Sequence, residues 1–167
     1  MRRTRQAVTA LAIAGLASTA CVVLIFVLAA RDRAPVAAPR GPGRPQSAVA
    51  PGDPPTFGAH RTVALRREDD ALGRDALLTA LAAGDVVLFY GSARPPARLR
   101  ALQRAVAGPF DPDLAAAGQA IVLSRRPGTH GVLAAAWRRL LHAPGAGDPG
   151  LRAFAETWLG KGASPAG

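Results

Sequence analysis

The chain has 167 residues, 21 basic against 11 acidic side chains for a formal net charge of +10, and one cysteine, Cys21. That length holds one domain with chain to spare. The charge is nearly all arginine, and it lacks the lysine-rich runs, aromatic-interleaved basic strands or zinc-finger spacing of a nucleic-acid binder. A lone cysteine in the N-terminal apolar run excludes an internal disulfide, a thiolate metal site and a cysteine nucleophile in the folded part.

In chain order, the first element is "AVTALAIAGLASTACVVLIFVLAA", residues 7–30, 24 residues without a charge. About 20 helical residues cross the hydrocarbon core, so this run predicts a transmembrane helix with some tilt. Cleaved signal peptides have shorter apolar regions, of about 7–15 residues. "VLA" before Ala30 leaves cleavage as the alternative. "STAC" ending at Cys21 is a poor lipoprotein box, since Ser18 stands where leucine is usual and apolar chain follows. Arginines flank both ends, so the positive-inside count does not decide orientation. The short basic tail, residues 1–6, has the form of a signal anchor's cytoplasmic end, which places the bulk of the chain outside the cytoplasm.

From Arg31 to Pro55 the composition turns to Pro, Ala, Gly and Arg. This predicts a disordered, extended linker able to hold a domain on the order of 80 Å from the membrane, at about 3.1 Å per residue. A small domain is expected over 56–162, with a disordered tail at 163–167. Its first element is a short half-exposed strand, "RTVALR" (61–66). Glu68, Asp69 and Asp70 then start a helix with Leu72, Leu77, Leu78 and Leu81 on one face and Gly84 at its stop. "DVVLFY" (85–90) reads as a buried strand. Pro95 and Pro96 open a helix that faces inward with Leu99, Leu102 and Val106. "PFDPDLAAAGQ" reads as a loop, "AIVLS" (120–124) as a second buried strand, and "RRPGTHG" as a turn. "VLAAAW" (132–137) fits strand or helix, and Asp148 with Pro149 begins a last helix carrying Leu151, Phe154 and Trp158. The fold class expected is α+β, a short sheet covered by helices.

Chemistry is sparse. The candidate metal ligands are His60, His130 and His142, and no two of them have ligand spacing on one helix face. His142, after "RRLL", reads as a solvated element end, and His130 lies in a glycine-flanked turn. Ser92 and Ser124 lack a nucleophile elbow. Asp111 and Asp113 flank Pro112, where turn formation explains them, Asp85 opens a strand, and the two tryptophans read as packing residues. No catalytic constellation emerges.

Four stretches in this order resemble a bacterial family known as domain of unknown function 3105, whose members are typically membrane-anchored with one extracytoplasmic domain. "DPPTFGAH" resembles its Asn-Pro-Pro-Thr-Ser-Gly-Pro-His opening. "LLTALAAGDVVLFY" is similar to its Leu-Val-His-Asn-Leu-Glu-His-Gly segment and following strand. "RRPGTHGVLAAAWRRLL" matches its Pro-Gly turn and Ala-Trp strand, and "LRAFAETWLGKG" its terminal helix. The resemblance implies a histidine and glutamate cluster that looks like a ligand set. His60 matches one member, while Thr79, Ala82 and Ala83 stand at the other three, so one of about four groups is retained.

The expectation is a divergent family member without enzymatic activity or cofactor. It is held in the bilayer by residues 7–30, with an extracytoplasmic domain that serves as an interaction or binding module, an envelope protein being one partner that would suit it. The alternative is an envelope copper- or zinc-binding, or redox-associated, protein using His60 with His130 or His142.

Overall fold

The structure, a computed structural model, describes residues 41–68 and 70–163. The expected anchor at 7–30, the first part of the linker, Asp69 and the last four residues lie outside that range. Among the described residues no helix is long and apolar enough to cross a membrane.

The fold is α+β, as the sequence predicts. Five strands form one mixed sheet: β1 (Arg44–Pro45), β2 (Val86–Tyr90), β3 (Ile121–Arg125), β4 (Val132–Ala136) and β5 (Arg139–Ala143), in the order β1-β5-β4-β2-β3. β2 and β3 run parallel, joined through helix α2 (Ala97–Val106), and the other pairings are antiparallel. Helices lie on both faces. Val86, Leu88 and Tyr90 of β2 pack with Leu99 of α2 and with Leu151, Phe154 and Trp158 of α4 (Pro149–Trp158). Val87 and Phe89 point the other way, towards Leu77 and Leu81 of α1 (Arg74–Ala83) and Ala115 of α3 (Pro112–Ala116). Every residue of β2 is buried, which is why its sequence shows no alternation.

Several expectations need correction. The linker does not run to Pro55: the compact unit begins at Gly41. Gln46, 3% exposed, holds Thr56 through its side-chain oxygen and donates to the Pro54 carbonyl, and Trp158 Nε1 donates to the Pro42 carbonyl at 2.8 Å. Proline-rich composition looked like a stalk because the hydrogen bonds that fix this stretch come from distant residues. No strand forms at 61–66, where Val63 is exposed and its N–H donates to the Thr79 hydroxyl instead of a neighbouring strand. The helix expected to start at Glu68 begins at Arg74, with Gly73 as its N-cap.

Glu68 is drawn elsewhere. β3 is an edge strand, and Glu68 accepts the Leu123 N–H at 3.4 Å, pairs with Arg100 at 3.1 Å and accepts from Gln103. Gln103 in turn donates to the Ile121 carbonyl at 2.8 Å, so side chains occupy backbone groups that an open edge would offer to another chain.

Three elements were hidden in the sequence: β1, α3 and β5. The segment read as a loop contains α3, capped by Asp111, whose carboxylate accepts from the Asp113 and Leu114 N–H groups. The ambiguous alanine run is β4, and it turns back directly into β5, where His142 lies within a strand. Trp137 and Arg138 make that tight turn, with Arg138 in the left-handed region at φ 57°. Because neither is glycine or asparagine, the usual hairpin signal is absent.

Candidate functional site

The best-formed site lies at the end of α1. Gly84, at φ 121°, stops the helix, and the Asp85 N–H closes back onto the Ala80 carbonyl at 3.0 Å. This delivers a carboxyl group to the amino ends of the two parallel strands. Asp85 Oδ1 accepts the Ala120 N–H at 2.9 Å, while the Val86 N–H donates to the Ala120 carbonyl at 3.1 Å. The side chain thereby extends the β2–β3 pairing by one step. Gly118, at φ 71°, lets the loop before β3 come close enough, since a Cβ there would sit 2.0 Å from the Ala83 carbonyl oxygen.

The other oxygen has no such partner. Asp85 is 1% exposed, and its Oδ2 makes no hydrogen bond among the described residues. Buried polar atoms are nearly always paired, so an orphaned carboxyl oxygen is informative. Burial disfavours the charged form and pushes the Asp85 pKa from 3.8 up to about 7, with the Ala120 N–H pulling the other way.

Asp85 lines a pocket of about 370 Å³. One wall is the strap 62–66, exposed except for the half-buried Leu65, another is α1 at Thr79, Ala80 and Ala83, and the third is α3 at Pro112, Ala115 and Ala116. Thr79 ties strap to helix: its hydroxyl accepts the Val63 N–H at 3.1 Å and lies 2.8 Å from the Asp75 carbonyl and 3.2 Å from that of Arg61. Two of the positions where the resemblance sets polar groups, Thr79 and Ala83, are thus on this wall. The volume falls at the low end of ligand clefts, about 300–1,000 Å³. No serine, cysteine or histidine lines it; the polar side chains on its walls are Thr62, Arg66, Thr79, Asp85 and Asp113.

The three histidines do not gather here. His60 stays near the chain's turn at Gly58, with Nδ1 3.0 Å from the Gly58 carbonyl oxygen and its ring 6.3 Å from that of Trp137. His130 and His142 line a second hollow of about 400 Å³ beyond the carboxyl end of β3, together with Arg126. His142 Nε2 lies 3.1 Å from Asp53 Oδ1 and 3.4 Å from Arg44 Nη2, and Arg44 itself bonds Asp53. Among the described residues no group of three or more His, Cys, Asp or Glu side chains is placed to hold a metal ion. Asp111 serves as a helix cap, and Trp158 is core.

Asp85 is the residue the sequence reading passed over. Its signal was faint: a carboxylate set directly between a helix-stopping glycine and a strand buried throughout. A charge so placed enters the interior with the strand.

No curated protein and no solved structure matches the chain. The match that does exist is to a family model, over residues 46–167, which spans the compact domain from Gln46 onward. The chain therefore belongs to the family described as "Protein of unknown function (DUF3105)".

Proposed function

We propose that the chain is a single-pass membrane protein whose extracytoplasmic domain is a non-catalytic binding module, with the Asp85 pocket as its ligand site. One observation carries the binding reading: a partly enclosed pocket is lined by a buried carboxyl group with one oxygen left unpaired. A carboxyl that ionises near neutrality also suits a general base, but the Thr79 hydroxyl on the neighbouring wall is committed to the Val63 N–H and the Asp75 carbonyl, which favours binding over catalysis. The anchor rests on the 24 uncharged residues at 7–30 and their basic flanks.

Two measurements test this. Full-length tagged protein should remain in the membrane pellet after alkaline carbonate extraction, with its C-terminal domain open to protease added from outside; release by the wash refutes the anchor. Mass spectrometry of small molecules that co-purify with the full chain should show a species depleted in Ala116→Leu, which fills the pocket. Identical profiles refute the binding site.

The second reading is a copper or zinc site at His130 and His142, favoured by their shared hollow. Two features weigh against it: His142 Nε2 is already turned to the Asp53 carboxylate, which Arg44 holds, and the Arg126 guanidinium lines the hollow, where a dication meets a fixed positive charge.

A further inference from the structure

The second hollow owes its shape to glycine and proline. Just past β3, Arg126-Pro127-Gly128-Thr129 forms a tight turn in which the Thr129 N–H donates to the Arg126 carbonyl at 3.2 Å. Proline second and Gly128 third, at φ 82°, suit that turn. Gly131, at φ 75°, then presses the chain against the end of β5, since a Cβ there would sit 2.2 Å from the Ala143 carbonyl oxygen. The turn that carries His130 is thereby held near the strand that carries His142, and both side chains line the hollow.

Arg126 is fixed there as well. Its Nη2 donates to the Gly52 carbonyl at 3.0 Å, and its Cζ stands 5.9 Å from the centre of the Phe89 ring. Gly52 also lines the hollow, so this bond sets the charged end of the side chain, not only its stem, at the rim. The next residue, Asp53, orients the His142 ring through Nε2 at 3.1 Å.

The charge balance decides the sign of a ligand. The titratable groups lining the hollow are Arg126, His130 and His142, all of them bases. Asp53, the carboxylate that touches His142, is 7% exposed and has its charge met by Arg44. A guanidinium carries five N–H donors, and Gly52 takes one of Arg126's. Each imidazole adds an N–H donor in its neutral form and two when protonated. These donors reach the hollow from separate elements, the turn and β5. A planar carboxylate presents two oxygens in one plane, whereas a tetrahedral oxyanion presents acceptors in several directions and still matches the arginine fork.

We infer that this hollow binds a phosphate group, held by the Arg126 guanidinium and the His130 and His142 imidazoles. The site is independent of the Asp85 pocket.

The test titrates inorganic phosphate, glycerol 3-phosphate and acetate into the full chain in detergent micelles at pH 7 and constant ionic strength. Amide and arginine side-chain NMR signals are followed residue by residue. Both phosphates are expected to shift Arg126, Gly128, His130 and His142 to saturation, with an apparent Kd at least about tenfold below that of acetate. Arg126→Gln should weaken phosphate about tenfold or more, the loss expected for one charge-assisted hydrogen bond. His130→Ala, at an exposed position, should weaken it too. Arg94→Gln, which removes an exposed arginine outside the hollow, should change the Kd by less than about twofold. Tighter binding of glycerol 3-phosphate than of inorganic phosphate supports the site with a phosphate ester as its ligand, and the reverse supports it with the free ion. No saturable shift up to about 10 mM, unchanged affinity in both hollow variants, or equal weakening by Arg94→Gln overturns the site. Acetate binding as tightly as phosphate overturns the phosphate assignment.

Discussion

Replacing Asp85 by asparagine separates the charge of this side chain from its structural hydrogen bond. In the folded domain the carboxyl titrates at about 7, in the unfolded chain near 3.8. Between those values the folded state holds a proton that the unfolded state has released. Stability therefore falls as pH rises through that window, and is level with respect to this group above it. At 1.36 kcal/mol per pH unit for one proton, the descent amounts to about 4 kcal/mol between pH 4 and pH 7. Asparagine keeps an oxygen for the Ala120 N–H and cannot ionise. It still buries an unpaired polar group, so below pH 4 the variant should match the parent or fall short by about 1 kcal/mol. Above pH 7 it should be more stable by about 3 kcal/mol, or about 12 °C in Tm for a domain of this size. Urea denaturation followed by circular dichroism from pH 3.5 to 8.5 measures this. The difference between the two proteins cancels the other titrating groups. Parallel curves across the whole range would show that the carboxyl is not buried as described. A variant less stable at every pH by more than about 3 kcal/mol would show that the ionised form is the one the fold needs.

Other perturbations test the frame that holds the pocket. Gly118→Ala should cost about 2 kcal/mol or more in chemical denaturation, because the left-handed backbone and the 2.0 Å approach to the Ala83 carbonyl oxygen both oppose a side chain; a change under 0.5 kcal/mol would refute the close packing there. Glu68→Ala should lose about 2 kcal/mol and, by sedimentation, self-associate at lower concentration, since the edge of β3 is then uncovered. Monomeric behaviour with unchanged stability would mean that this carboxylate does not guard the edge. Calorimetric titration of Zn(II) or Cu(II) into the full chain should show no micromolar site. A site at that affinity which His130→Ala or His142→Ala abolishes would instead establish the metal reading.

The central architecture was legible because it follows from local pattern. "VVLFY" and "IVLS" announce buried strands by continuous branched and aromatic residues, and α2 and α4 announce themselves through leucine, phenylalanine and tryptophan at helical spacing beside a proline start. What escaped is what depends on partners far along the chain. "VLAAA" has good intrinsic helix formers, yet it is a strand because β2 and β5 flank it, and its small side chains let helix α4 approach. Residues 41–46 carry the composition of a linker, yet Trp158 and Thr56 hold them. The acidic run at 68–70 fits a helix start equally well in sequence. Arg100 and Gln103, more than thirty positions later, pull Glu68 to the edge of β3 instead.

The candidate site was unreadable for a related reason. Sequence reasoning searches for reactive types gathered by spacing, and so it singled out three histidines. In space they divide between a tryptophan contact and a basic hollow. Asp85 lies within one of the family-like stretches but at a position to which the resemblance gives no role, and its local mark is adjacency to a buried strand. What makes it unusual is a mismatch between supply and need: the loop before β3 offers one backbone N–H, and a carboxyl has two oxygens to satisfy. A structural requirement for closing the β2–β3 pairing would be met by asparagine or serine without bringing an ionisable group into the interior. A carboxyl at this position makes sense if something outside the chain completes it. The pocket of about 370 Å³ beside it has room for a ligand to do so.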